Sequence, residues 1–194
     1  ACALRGSGTQ PLCFGSGANY RLGTGTTVTA EAAVVATELP AASVLRLDAR
    51  HTMVLDASGT VVGVGANDTL ELGALTPTSD AITAVTASFP PPVRDFDTHS
   101  EWTGAILADG RLATCGTVNE VLGPTPTPAM CALGPTACSF GPEDIAVPSG
   151  LVLAGIAMGA GAGVVWAEDG SLWGWGSAVT PPAQALVPME VGAR

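Results

Sequence analysis

Apolar positions in this chain come in short Val/Thr/Leu runs separated by glycine and proline, and strong helix formers rarely recur at helical period. That is the patterning of an all-β chain built from short strands and tight turns. One stretch sets the grammar. Leu107 to Gly123 reads as an apolar strand end, an Asp109-Gly110 turn, a second strand closing on Cys115-Gly116, then Asn119 and Leu122-Gly123. The same order recurs around Gly59 and near the N-terminus. Near the C-terminus it recurs without the Asn and Leu-Gly. The residues before the second-strand glycine, Phe14, Val64, Cys115 and Trp175, follow one another at 50, 51 and 60 residues. A period of this length marks a repeat architecture. The units run over about 1–39, 40–89, 90–147 and 148–187, within one repeat domain spanning 1–194.

In chain order, residues 1–15 form a hairpin, and a long Thr/Ala-rich connection follows from Gly25 to Pro40. Its middle, Ala30 to Leu39, suits either a short helix or an outer strand, with Pro40 as the stop. Val44 to Asp48 alternate as a half-buried strand. His51–Leu55 and Thr60–Val64 pair about the Ala57-Ser58-Gly59 turn. Residues 76–92 read as a second connection ending in Pro90-Pro91-Pro92, a stiff donor-less run that serves as a spacer or as a docking segment for an aromatic groove. His99 and Thr103 compete for one repeat position, which places a small insertion at Glu101-Trp102. Pro124, Pro126 and Pro128 alternate with threonine as an extended surface segment, a carrier of O-glycans if the protein is extracellular. Ile145 to Ala167 holds 23 residues without a charge, and Gly155, Gly159 and Gly163 are spaced like a membrane helix-packing face. Internal Pro148 and Gly150, and continuity with the Asp169-Gly170 hairpin, make it the buried strands of unit four instead. Pro188 to Val191 read as the first strand of a further unit, complementary to the strand that opens the chain.

The pattern resembles the regulator-of-chromosome-condensation (RCC1) repeat. Its frame is matched by Pro40, Val44, His51, Leu55, Gly59, Gly65, Asn67, Leu72 and Gly73; by Val93, Leu107, Asp109, Gly110, Gly116, Asn119, Leu122 and Gly123; and by Pro148, Val152, Gly155, Asp169, Gly170, Trp175 and Gly176. The repeat tryptophan survives only at Trp175 and the repeat histidine only at His51. The resemblance implies a β-propeller of about four blades, either closed and small or an open arc of a larger ring, since the family closes seven. The terminal strands would complete one blade. His51 is then expected to make a structural hydrogen bond within its blade.

Composition narrows the function. The net charge is −10, lysine is absent and all seven basic residues are arginine, so a nucleic-acid surface is not expected. The chain opens inside a repeat with neither Met nor a signal peptide, which predicts a processed protein or a segment of a longer one. Cys2 and Cys13 flank the first hairpin, and Cys131 and Cys138 flank a Gly-Pro loop. Two disulfides with Cys115 left over would fit an oxidising compartment; five buried thiols are the alternative. Asn67-Asp68-Thr69 is a glycosylation sequon, used only if the chain is secreted. No catalytic motif or metal-ligand spacing stands out, and neither cofactor nor metal is expected.

The expected function is a non-catalytic structural or protein-interaction module of an extracellular or cell-surface assembly, binding other subunits or copies of itself, with no membrane span. Its contact residues would be Pro90–Pro92, Trp102, Pro124, Pro126 and Pro128. Trp102, the one tryptophan in an apparent insertion, is the expected exposed anchor, and Trp166, Trp173 and Trp175 are expected to pack within blades. The resemblance also implies two alternatives: a nucleotide-exchange or chromatin-linked regulator of a small GTPase, and a propeller that inhibits a secreted enzyme.

Overall fold

The repeat grammar folds into successive antiparallel sheets. A computed structural model of the chain describes residues 1–74, 79–117, 128–130, 137–139, 141–177, 179 and 183–189. The first blade has three strands, β1 (Cys2–Ala3), β2 (Leu12–Gly15) and β3 (Ala30–Val35). The second has β4 (Ala42–Leu47), β5 (His51–Asp56), β6 (Val61–Ala66) and β7 (Asp80–Thr86). The third is built from β8 (Val93–His99), β9 (Trp102–Leu107) and β10 (Leu112–Gly116), with β13 (Glu143–Ile145) outermost. Between β10 and β13 lies a separate hairpin, β11 (Pro128–Met130) and β12 (Ala137–Ser139). The fourth blade has β14 (Leu153–Gly159), β15 (Ala162–Ala167), β16 (Leu172–Gly176) and β17 (Ala183–Pro188).

Several expectations resolve here. Ala30–Val35 is an outer strand and not a helix, because it completes the hydrogen bonding of β2. The connection at 76–92 contains the outer strand β7, paired to β6. Residues 153–167 are two paired strands, and among the described residues no helix is long and apolar enough to cross a membrane. Pro188 pairs with Trp173 at the end of β17, so it closes the fourth blade and does not open a fifth. There is no insertion at Glu101-Trp102. Trp102 pairs with Gly116 as His51 pairs with Gly65, so Trp102 itself occupies the repeat's histidine position.

The repeat glycine has a physical cause. In all four units it lies at or next to the end of its strand (β2, β6, β10 and β16) at positive φ: +102 at Gly15, +111 at Gly65, +123 at Gly116 and +106 at Gly176. In three of them the partner strand's backbone also fills the space a Cβ would need. At Gly116 that Cβ would lie 2.0 Å from the Glu101 carbonyl oxygen.

The core is a series of seams between blades. Cys13, Leu39, Val54 and Val64 pack between the first and second blades. Met53, Leu55, Phe96, Leu107 and Cys115 pack between the second and third, and Trp102, Ile106, Ile156 and Trp175 between the third and fourth. Alternate residues of β9 feed different seams, Ile106 forward and Leu107 backward. Strands β5, β6, β9 and β10 are therefore covered on both faces, mostly apolar, and buried throughout except at one turn-end residue.

Candidate functional site

The polar residues that suggested chemistry sit in these seams. His51, fully buried, places Nε2 2.5 Å from Thr98 Oγ1 on β8. Thr98 lies 2.8 Å from Thr103 Oγ1, which donates to the Glu71 carbonyl at 2.6 Å. The chain of bonds crosses from the second blade to the third and back, so the histidine links two blades and does not bond within one. At the first strands, Arg46 on β4 reaches Asp95 and Asp97 on β8, at 3.2 and 3.4 Å. Asp97 in turn accepts the backbone N–H of Met158 on β14 at 2.7 Å. One carboxylate thus ties three blades together. Trp102 Nε1 donates to the Gly159 carbonyl at 3.0 Å across the next seam. Among the described residues no cluster of three His, Cys, Asp or Glu is placed to hold a metal ion.

Glu71 is, among the described residues, the acidic residue buried most completely. Its Oε2 accepts from Thr69 N and Thr69 Oγ1, and Oε1 finds no partner among the described residues. Burial, with the neighbouring Asp68 charge adding to it, pushes the carboxyl up to about 7 from 4.5. Burial moves His51 the other way, down to about 4 from 6.5. The signs oppose. Folded Glu71 keeps a proton that the unfolded chain has lost, so stability falls as pH rises from 4.5 to about 7. Folded His51 stays neutral while the unfolded ring charges, so stability is lost as pH falls from 6.5 towards 4. Between 4.5 and 6.5 the two offset each other. Glu71→Gln should remove the first effect alone. It should melt above the parent at about pH 8 and close to it at about pH 5, as read by thermal unfolding at both; an equal difference at the two pH values would refute the assignment.

The residues proposed as contacts divide. Pro90, Pro91 and Pro92 are exposed, but Pro92 also packs on the turn of the preceding blade, where a Cβ on Gly59 would lie 2.5 Å from its own. Together they form one wall of a shallow groove shared with Leu107, Asp109 and Arg111. Trp102 is buried at 8% exposure, because it faces the seam with the fourth blade, and cannot be an exposed anchor. Asn67 is fully buried and its side-chain oxygen accepts Leu72 N, so the sequon has no room for a glycan in this fold. Cys2 and Cys13 are bonded at 2.09 Å across β1 and β2. Cys138 is buried and disulfide-bonded; Cys131, like Pro124 and Pro126, lies outside the described residues, and Pro128 opens β11. Cys115 is a free, buried thiol whose burial pushes it up to about 12, which leaves it unreactive.

Sequence reasoning missed the exposed tryptophan. Trp166 is 40% exposed on β15, where register aligns it with Leu55 and Ile106 of the preceding blades. Those two are buried in seams, whereas the corresponding face of the fourth blade is open. The first blade is open on its opposite face, where Phe14 is 50% exposed at the position of buried Val64.

Four consecutive antiparallel blades, each packed face-on against the next, define an array of the β-propeller class. No protein-family model matches the sequence, and no curated protein matches it significantly. Solved structures do. Human WBSCR16 superposes with a TM-score of 0.76 at 15% identity, over 95% of this chain and 49% of that one. Yeast RCC1 (Prp20), solved bound to Kap60, superposes at 0.73 with 15% identity, over 94% and 45%. Prp20p from Saccharomyces cerevisiae, solved in a study of its binding to Gsp1p and histones, superposes at 0.72 with 16% identity, over 95% and 46%. The chain has an RCC1-like β-propeller fold and spans about half the length of the solved structures it matches.

Proposed function

We propose that this chain is a non-catalytic protein-interaction module working in an extracellular or cell-surface assembly. The observation that carries the reading is where the chemistry-bearing residues are used. His51, Asp97 and Arg46 hold blades together and Cys115 is buried in a seam, while exposed loops and apolar sheet faces are left for contact. Rigid blades that present variable loops suit binding. The solved neighbour bound to Kap60, and the one studied with Gsp1p and histones, support a protein partner here. The Cys2–Cys13 bond supports an oxidising compartment.

The test is a thiol count and intact mass on protein isolated from its source. The expected result is a single thiol, Cys115, that reacts only after denaturation. Five reactive thiols without reductant would overturn the extracellular assignment. They would also bring forward the GTPase- or chromatin-linked reading, which the solved Prp20p neighbour favours.

A further inference from the structure

Three shallow grooves run between the hairpin turns about Gly59 and Gly110 and the connections that enter the next blade. The first lies between the Asp56–Gly59 turn and Pro92, Val93 and Arg94. The second lies between Pro90–Pro92 and the stretch from Leu107 to Arg111. The third lies between the Asp109–Arg111 turn and Asp144, Val147 and Leu151. Pro92 borders the first and the second, and Asp109 and Arg111 border the second and the third. The three therefore follow one another as a single track, from the second blade across the third to the approach of the fourth.

The track has fixed walls and an order of charges. The Pro92 carbonyl accepts Ala108 N at 2.9 Å and the Gly59 carbonyl accepts Val93 N at 2.8 Å, which tie the proline wall to the turns beside it. The prolines offer apolar rings and no N–H that needs a partner. At one end Arg111 Nε donates to Asp109 at 2.8 Å and Nη1 to Asp144 at 3.3 Å. Two carboxylates thus share one guanidinium, and both are more than half exposed, at 57% and 56%. At the other end Arg94 is exposed and, among the described residues, makes no ion pair. Asp56, the other charged residue there, is turned into its own hairpin, where Oδ1 accepts Ser58 N, Ser58 Oγ and Thr60 N. The track reads positive, apolar, negative.

We infer that this track binds an extended segment of a partner protein, with an acidic side chain at Arg94, apolar side chains over Pro90 to Pro92, and a basic side chain at Asp109 and Asp144. Charge complementarity selects the occupant. A small ligand needs a concavity that buries most of its surface, which a shallow track does not provide. An extended segment instead collects many small contacts along the line, and the two charged ends set its direction and register. A nucleic acid would bring its phosphates against the carboxylate end. The inference rests on the interaction-module reading and names the chemistry of the partner.

The test is selection of phage-displayed random dodecapeptides on the 194-residue chain. The best selected peptide is then titrated by fluorescence anisotropy against the parent, Arg94→Glu and Asp144→Asn, each variant first shown to melt like the parent. The selected peptides should share an acidic residue, an apolar stretch and a basic residue. Arg94→Glu should weaken binding about three- to tenfold and Asp144→Asn about two- to fivefold, the scale of exposed charge pairs. Added salt should weaken binding of the parent. A peptide with its acidic residue replaced by lysine should bind the parent less tightly and recover on Arg94→Glu. The parent titration with this second peptide needs no variant to fold. No shared pattern among selected peptides would overturn the inference. So would a peptide that binds both variants as tightly as the parent, or a lysine-bearing peptide that loses nothing on the parent. The thiol count does not depend on this track, so failure here leaves the interaction-module reading standing.

Discussion

Trp175→Ala should be the most damaging truncation in this protein, costing about 3–5 kcal/mol, the range for removing a large buried aromatic and leaving a cavity. Trp175 is completely buried at the seam between the third and fourth blades, among Ile106, Leu112, Ile156 and Val165. Its ring also lies against Gly163, where a Cβ would sit 2.1 Å from the indole, so the backbone closes over it and little remains to collapse into the space. The loss should be local in character. In an array where each blade touches only its neighbours, weakening one seam lowers the coupling between the units it joins. Urea unfolding should therefore lose its single transition, with the fourth blade melting ahead of the rest. A variant with the parent's midpoint and slope would show that this seam is not what holds the fourth blade.

The second large effect separates two glycines that look alike in sequence. Gly110 and Gly116 both have positive φ, +90 and +123. A Cβ on Gly110 would meet nothing within 4 Å, whereas one on Gly116 would lie 2.0 Å from Glu101 O and 2.8 Å from Trp102 Cα. Gly110→Ala should therefore cost only the left-handed backbone penalty, about 1–2 kcal/mol. Gly116→Ala adds a forced shift of the hairpin partner to that strain and should cost about 3–5 kcal/mol. Denaturant midpoints of the two variants, measured side by side, check the ordering. Equal losses would mean that β9 moves aside at no cost and that the glycine is kept for its turn alone.

These predictions separate what could be read from residue order from what could not. The hairpins about Gly59, Gly110 and Gly170 were legible because turn chemistry is local: Asp56, Asp109 and Asp169 each accept the backbone N–H two residues on. Of the outer strands, β3 was legible only as an alternative to a short helix, and β7 was read as part of a connection. Neither carries a clean period-two signal, and pairing with the preceding strand is what defines them. Trp102 and Trp166 were exchanged for a related reason. Sequence spacing suggested an insertion at one and routine packing at the other, but whether a forward-facing residue is buried depends on whether a blade stands in front of it. Asn67 shows the same limit, since a sequon describes three residues and its accessibility depends on the loop that folds over it.

By itself the sequence determined the all-β class, the four repeats and the tight turns, because these follow from residue order and local turn chemistry; it offered the Cys2–Cys13 bond as one of two readings, which the structure decided. The tertiary structure decided what each repeated position is used for. Seam contacts join residues about fifty apart, as His51 to Thr98 and Trp102 to Gly159 show. The same position is therefore core in one blade and open surface in the last, although nothing in its local sequence differs in kind.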